Sequence, residues 1–461
     1  MRRHLGLAGA TALIVGQVIA VGIFLTPAAM ARLLGSPFWL LAVWLLAGLM
    51  ALCGALVYGE LAARYPEAGG GYVYLREAWG RRLAFLYGWK CCLVMDPGIT
   101  AALATGLAAY LGYLVPLPPG GLKAAAIAAI AAGAAVNIAG ARLGAGVIST
   151  LAALKLGALA TIVVAGFGLG RGDWGHFVPF VAQHPGAAPL GGALAGAFVS
   201  AFFAFGGWWE AAKLTGEVLD PARTMPRALS LGVAIVTVAY IATSGAFLYL
   251  VPLEAVTSDE AFAAQAGEVL FGRAGGVVLA ATVLVSVAGS LVAIQMMLPR
   301  LYYAMSRDGL FPASLGRLHP TRGTPVRAIA LQAGLASVLV ALGSFDAIVA
   351  YFIFVTVAFI GLTVAGIFRI RRAGRAIARA PADRAATAGV AEGGPDVRAY
   401  RTPGHPVTAI VFLALVAVLL AMLVASRPIQ ALAGTVIVLA GLPVYAVVRR
   451  RLEPAATGSR A

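Results

Sequence analysis

Apolar stretches of about 18 residues or longer recur from one end of this chain to the other. Each is long enough to cross a bilayer as a helix, because about 20 residues at 1.5 Å per residue span the hydrocarbon core. Twelve can be placed, at residues 8–30, 38–63, 84–113, 122–139, 149–170, 191–215, 228–251, 270–299, 327–345, 348–368, 406–425 and 430–448. The expected fold class is therefore an all-α polytopic membrane protein with 12 transmembrane helices. Composition agrees: 11% of the 461 residues are charged, against about 25% in soluble proteins. Nothing is left over for a separate soluble domain.

The net charge of +16 would suit a nucleic-acid partner, but its distribution reads as topology. With the N-terminus in the cytoplasm, 27 of the 34 Lys and Arg residues fall on that side, in Arg2, Arg3, the connections 64–82, 142, 213–227, 300–327 and 369–401, and the tail. The opposite side holds Arg32, Lys123, Arg171, Arg273 and Arg427, while Lys90 and Lys155 fall within helices. This asymmetry places both termini in the cytoplasm. The lipid bilayer is then the partner, and no nucleic acid is expected. Two arginines followed by an apolar stretch are compatible with a signal peptide, but the stretch exceeds a typical h-region and its loss would break the charge asymmetry. Cys53, Cys91 and Cys92 lie in predicted helices and lack disulfide or metal spacing. No nucleophile–base pair, metal-ligand spacing or phosphate loop is visible, so neither an enzyme nor a cofactor is expected.

Residues 371–404, rich in Arg, Ala and Gly, read as a cytoplasmic linker. It separates a core of ten helices (1–370) from a segment with two helices and a basic tail (405–461). Glycine clusters interrupt two apolar segments: Gly16 and Gly22 in helix 1, and "FFAFGGWWE" (Phe202–Glu210) in helix 6. As first and sixth of ten, these occupy matching places in two five-helix halves of opposite orientation, a 5+5 inverted repeat. Broken helices at such places point to a secondary-transporter site. Glycine-rich packing faces are the plainer alternative.

Unwinding near Gly16–Gly22 frees backbone groups, which a membrane tolerates only where they line a cavity or meet a ligand. The half-helix starting near Gly22 turns a positive dipole end toward a carboxylate. Carbonyls near Val18–Ile19 and Phe205–Gly206 suit an ammonium. The candidate substrate-binding residues for an amino acid zwitterion are thus Val18, Ile19, Ala20, Val21, Gly22 and Ile23, with Phe203, Ala204, Phe205 and Gly206.

At these residues the chain resembles the amino acid–polyamine–organocation superfamily, in particular its L-type amino acid transporter branch. The motifs, in order, are "VIAVGIFLTP", "GALVYGELAARYPEAGGGYVYLREAWG", "FAFGGWWEAAKLTGEVLDPARTMPRAL", and "RLYYAMSRDGLFP" with the later "TPVRA". They cover about residues 5–330. Two departures stand out. Ala20 replaces the first glycine of the helix-1 triplet and the β-branched Val21 follows it, which narrows the pocket or shifts the chain and favours small substrates. Trp209 stands where relatives often carry Asn or Asp, with Glu210 next.

The resemblance implies roles for three further side chains. Phe203 matches an aromatic gate over the substrate, against a plain reading as core packing. Trp208 matches the family tryptophan, as gate or as packing anchor. Lys155, in "AALKLGALATIVVAGF", is a cation inside a helix, costing about 2.5–3.5 kcal/mol on insertion scales unless it finds partners or water. Snorkelling to the interface is one answer. In L-type relatives this lysine reaches the unwound part of helix 1 as a built-in replacement for sodium. Elsewhere, Glu60 reads as structural, pairing with arginines. Glu217, Asp220 and Arg223 suit interface charge pairing or an inner gate. Lys90 and Asp96 receive no transport role, while Gln295 could reach the cavity or make a packing hydrogen bond.

The reading implied is sodium-independent exchange of small or medium neutral L-amino acids by alternating access. Proton-coupled uptake is the first alternative, and Glu210 keeps cationic amino acid or polyamine antiport open. A non-transporting amino acid sensor would need the same pocket. A channel lacks support, as no charged ring or carbonyl filter appears. The 114–123 connection has no cysteine, so the disulfide-linked glycoprotein partner of animal L-type relatives is not expected. Ala-, Gly- and Arg-rich composition suggests a bacterial cytoplasmic membrane.

Overall fold

The computed structural model describes residues 3, 5–20, 22–67, 69–140, 145–253, 262–343, 345–379 and 400–457. Among these the chain is helical almost throughout and carries no strand, with one isolated bridge between Leu5 and Val218. Eight helices are long and apolar enough to cross a bilayer, and a bent pair adds a ninth span. Ala153–Gly168, Leu190–Ala204 and Val326–Leu342 are shorter apolar helices. All of these lie on the segments where the sequence predicts membrane crossings.

The bent pair is α1 (Leu7–Val18) and α2 (Gly22–Leu34), which meet at 44°. α3 (Pro37–Arg64) starts where the Ser36 hydroxyl accepts the Trp39 N–H at 3.4 Å, with Pro37 in the first turn. After the short α4 (Gly71–Trp79), the next crossing is composite. α5 (Arg81–Lys90) runs into a π-helical turn at Cys91–Met95 and on into α6 (Asp96–Leu114). Such turns are inserted into helices mostly at functional sites, and this one faces the cavity described below. α7 (Pro119–Ile138) and α8 (Ala145–Gly168) complete the first half.

α9 (Leu190–Ala204) stops in mid-crossing, and after a five-residue turn the chain resumes as a 3-10 helix, Glu210–Glu217. The expected helix over 191–215 is thus a broken one. α10 (Pro221–Leu250) follows Asp220, which takes a left-handed φ of 42°. α11 (Phe262–Met297) contains a non-helical Gly272 at φ 69°, ahead of α12 (Pro299–Arg307), α13 (Val326–Leu342) and α14 (Phe345–Arg379). The last two helices are α15 (Val407–Ser426) and α16 (Pro428–Thr457).

One apolar cluster runs through the interior. Around it α1 lies against α8 and α10, α2 against α9, α3 along α10, and α6 against α11 and α13. α15 and α16 pack on α14, touching α3 and α5 respectively.

Glu60, fully buried near the end of α3, ties these layers together. Its Oε1 accepts from Arg64 Nε at 3.0 Å and Arg371 Nε at 2.9 Å. Its Oε2 accepts the Thr402 N–H and O–H, both at 2.8 Å, and contacts a second Arg371 nitrogen. One carboxylate therefore joins the ends of α3 and α14 to the segment that leads into the last two helices. α14 runs on to Arg379, through the first residues of the segment read from the sequence as a linker. Residues 380–399 lie outside the described residues.

Removing one member of a buried ion pair costs about 3–5 kcal/mol. Glu60→Ala should therefore lower thermal stability in detergent by that order, read by the loss of the monodisperse size-exclusion peak on heating. Glu67→Ala, an exposed partner of Arg76, should change it by about 0.5 kcal/mol or less.

Candidate functional site

In an uninterrupted helix the Gly16 carbonyl would accept the N–H of residue 20. Here the Ala20 N–H turns to the Val18 carbonyl at 2.8 Å, and the Gly16 carbonyl is met by the ammonium of Lys155 at 2.9 Å. Lys155 is 3% exposed and also contacts the Ser290 hydroxyl of α11. It does not snorkel. It caps the C-terminal end of α1, where the helix dipole favours a cation and where the lipid interior would penalise an unbonded carbonyl.

The two breaks lie against each other. A Cβ on Gly22 would come within 2.6 Å of Ala204 Cα and 2.9 Å of Ala204 Cβ. At φ 111° Gly207 brings the helix-6 turn within 3.3 Å of the Gln17 carbonyl, measured from the position a Cβ would take. Tyr240 of α10 locks the crossing, its hydroxyl lying 2.9 Å from both the Val18 and the Ala204 carbonyls. Its ring is held between Trp44 and Phe205, with centroids 5.2 and 5.1 Å away. Tyr110 of α6 donates to the Phe24 carbonyl at 2.8 Å, fixing the first turns of α2.

Between the breaks lies a cavity with about 580 Å³ of atom-free space, its open approach included. Six of the ten candidate substrate-binding residues line it: Val18, Ala20, Gly22, Phe203, Ala204 and Gly206. Val21 lies outside the described residues. Ile19, Ile23 and Phe205 are not in the lining, because their side chains are buried in the core. The ammonium clamp expected at Val18 also changes. Its carbonyl already faces the Ala20 N–H and the Tyr240 hydroxyl, which occupy its two lone pairs. The first amides of α2 have no carbonyl partner within their own helix.

The remaining candidates separate clearly. Phe203 lines the cavity half-buried, edge-on to Phe352 at 6.1 Å. Trp208 does not line it. It is 1% exposed, edge-on to Tyr58 at 5.1 Å, and packed over Gly54, whose absent Cβ makes room for its ring. The structure thus makes it a packing anchor. Gln295 is fully buried and donates to the Ile130 carbonyl at 3.1 Å, a bond between α11 and α7. Asp96 accepts from the Tyr302 hydroxyl at 2.7 Å, behind the cavity wall. Lys90 is buried beside the Met95 sulfur, with its ammonium 4.7 Å from the Tyr87 ring centre. Glu217 meets Arg300 at 3.5 Å, and Asp220 meets Arg223 at 3.8 Å in the open.

Glu210, which the sequence reading leaves open as a contact for a cationic substrate, lines the cavity and forms an ion pair with Lys213. That pair had a local signal, since residues three apart share a helix face. Tyr240 had none. Among the described residues no group of His, Cys, Asp and Glu could hold a metal ion, and the three cysteines are buried free thiols.

Two substitutions test this crossing. Tyr240→Phe keeps the ring and removes the one hydroxyl proton shared by the Val18 and Ala204 carbonyls, lowering stability by about 1–3 kcal/mol. Gly22→Ala drives a methyl into the Ala204 backbone. It should cost about 1–3 kcal/mol or more in the same melting assay, with substrate-induced stabilisation lost.

A profile of the amino acid permease family matches residues 5–448. The serine/threonine exchanger SteT of Bacillus subtilis (strain 168) is 30% identical over 454 residues, covering 98% of each chain. The mouse Asc-type amino acid transporter 1 is 28% identical over 378 residues, 80% of this chain and 71% of its own. The human large neutral amino acids transporter small subunit 2 is 29% identical over 373 residues, 79% of this chain and 69% of its own. With its broken first and sixth helices crossing at a half-buried cavity, the chain is a multi-pass membrane transporter that belongs to the amino acid permease family.

Proposed function

We propose that the protein exchanges small or medium neutral L-amino acids across the membrane, independently of sodium, by alternating access. The observation that carries this reading is the Lys155 ammonium on the Gly16 carbonyl, at the end of the first half-helix. A lysine ammonium there does what a bound metal cation would do for an unwound helix end, so no external ion is needed to complete the site. The substrate carboxylate would sit at the first amides of α2, where the dipole and unpaired N–H groups favour an anion. Its ammonium would meet carbonyls of the helix-6 turn rather than Val18. The apolar lining from Met95, Ile99, Leu103 and Ile294 suits a substrate without net charge.

The relatives' printed names, a serine/threonine exchanger and neutral amino acid transporters, support the same substrate class. Exchange, rather than net uptake, follows if the loaded carrier returns more readily than the empty one. Opening to either side would then rest on rocking α1, α2, α9 and the Glu210–Glu217 helix against the helices around them. The charge asymmetry supports both termini in the cytoplasm, and the composition supports a bacterial cytoplasmic membrane. The cysteine-free 114–123 connection supports function without a disulfide-linked glycoprotein subunit.

Purified protein in liposomes tests this. Labelled neutral L-amino acids should enter vesicles preloaded with unlabelled amino acid at least about tenfold faster than empty ones, equally in sodium and choline buffers. Uptake into empty vesicles driven by a pH gradient would replace exchange with proton symport. Saturable binding with no uptake would replace transport with sensing.

A further inference from the structure

The cavity holds two side-chain acceptors in an otherwise apolar wall. Glu210 is 5% exposed, and its Oε1 accepts no hydrogen bond among the described residues. Its Oε2 meets the Lys213 ammonium, which balances the charge. Across the crossing, the Gln17 amide nitrogen donates to the Met297 sulfur at 3.1 Å, which leaves its buried Oε1 unpartnered. Gln17 and Glu210 line the same space from the two broken helices, where the Gly207 turn packs against Gln17. A buried acceptor without a donor is costly. Two in one cavity define what the occupant must bring.

We propose that Glu210, with Gln17 on the facing helix, forms a side-chain subsite for a hydroxyl donor. The pocket thereby selects small hydroxylated amino acids over aliphatic ones of the same shape. This rests on the exchange reading above and narrows its substrate class. Charge arithmetic favours a neutral donor over an ammonium. Glu210 and Asp96 are the buried acids here, Lys90 and Lys155 the buried cations, and the partly buried Lys213 pairs with Glu210 and acts with it electrostatically on Asp96. A cationic side chain would add charge to a group in which cations already outnumber acids. A hydroxyl adds none and donates one hydrogen bond to the free carboxylate oxygen. Its methyl-bearing isostere would fit equally well but leave that oxygen unbonded, and a site built for a donor rejects such an analogue strongly.

Threonine and valine differ by this one group, so their ratio is the readout. In preloaded liposomes the wild-type protein should exchange labelled L-threonine in preference to L-valine by about tenfold to a hundredfold, the worth of a hydrogen bond to a charged group. L-serine should likewise exceed L-alanine. The double variant Glu210→Met/Lys213→Met removes the acceptor without stranding the lysine. It should bring the threonine/valine ratio close to one while valine still exchanges, which also shows that the protein is folded. A wild-type ratio near one, or a ratio unchanged in the double variant, overturns the subsite and leaves the exchange reading standing. Absence of all neutral amino acid exchange in the wild type overturns the exchange reading, and the subsite with it. If the double variant fails to fold, the wild-type ratios and Glu210→Gln decide. A narrowed threonine preference in that variant supports the subsite, and an unchanged one overturns it.

Discussion

The contact between the Lys155 ammonium and the Gly16 carbonyl is the constraint on which the rest of the site depends. A helix that stops in mid-membrane leaves its last carbonyls without donors, and lipid offers none. A fixed cation from α8 meets the first of these carbonyls, and the helix dipole strengthens the bond. The cost of burying the lysine and the cost of breaking the helix offset each other. Neither would be stable alone.

From that point the crossing is held by shape and by one hydroxyl. Gly22 lets the second half-helix rest directly on Ala204, and Gly207 lets the helix-6 turn reach Gln17. Tyr240 addresses a carbonyl on each broken helix, so the two breaks are fastened to α10 as a unit. Far along α3, Glu60 does the corresponding work at the rim, where it joins three segments of the chain through one carboxylate. The cavity thus sits between elements that are each anchored elsewhere, an arrangement suited to small relative movements.

Most of the helical architecture was legible in the sequence because runs of apolar residues leave a membrane chain one option. The two breaks were legible through their glycines, and Lys155 through the expense of a charge in the bilayer. What the sequence hid depends on tertiary direction. Ile19, Ile23 and Phe205 sit within the motifs yet turn into the core, since neighbouring positions on a helix face different ways. Trp208 carries the family pattern but packs over Gly54. Tyr240, a lone tyrosine in an apolar span, gives no local hint of the two carbonyls it meets. The π-helical turn at Cys91–Met95 is equally silent in sequence, though Pro97 just beyond marks the place.

Exchange by the Lys155→Met variant tests the central claim most directly. Methionine keeps the length and removes the charge, and size-exclusion profiles check that the variant is folded. If the ammonium completes the helix-1 end, sodium-independent exchange should fall by about tenfold or more, the worth of a hydrogen bond from a charged donor. A folded Lys155→Met protein that exchanges at the wild-type rate would contradict the account.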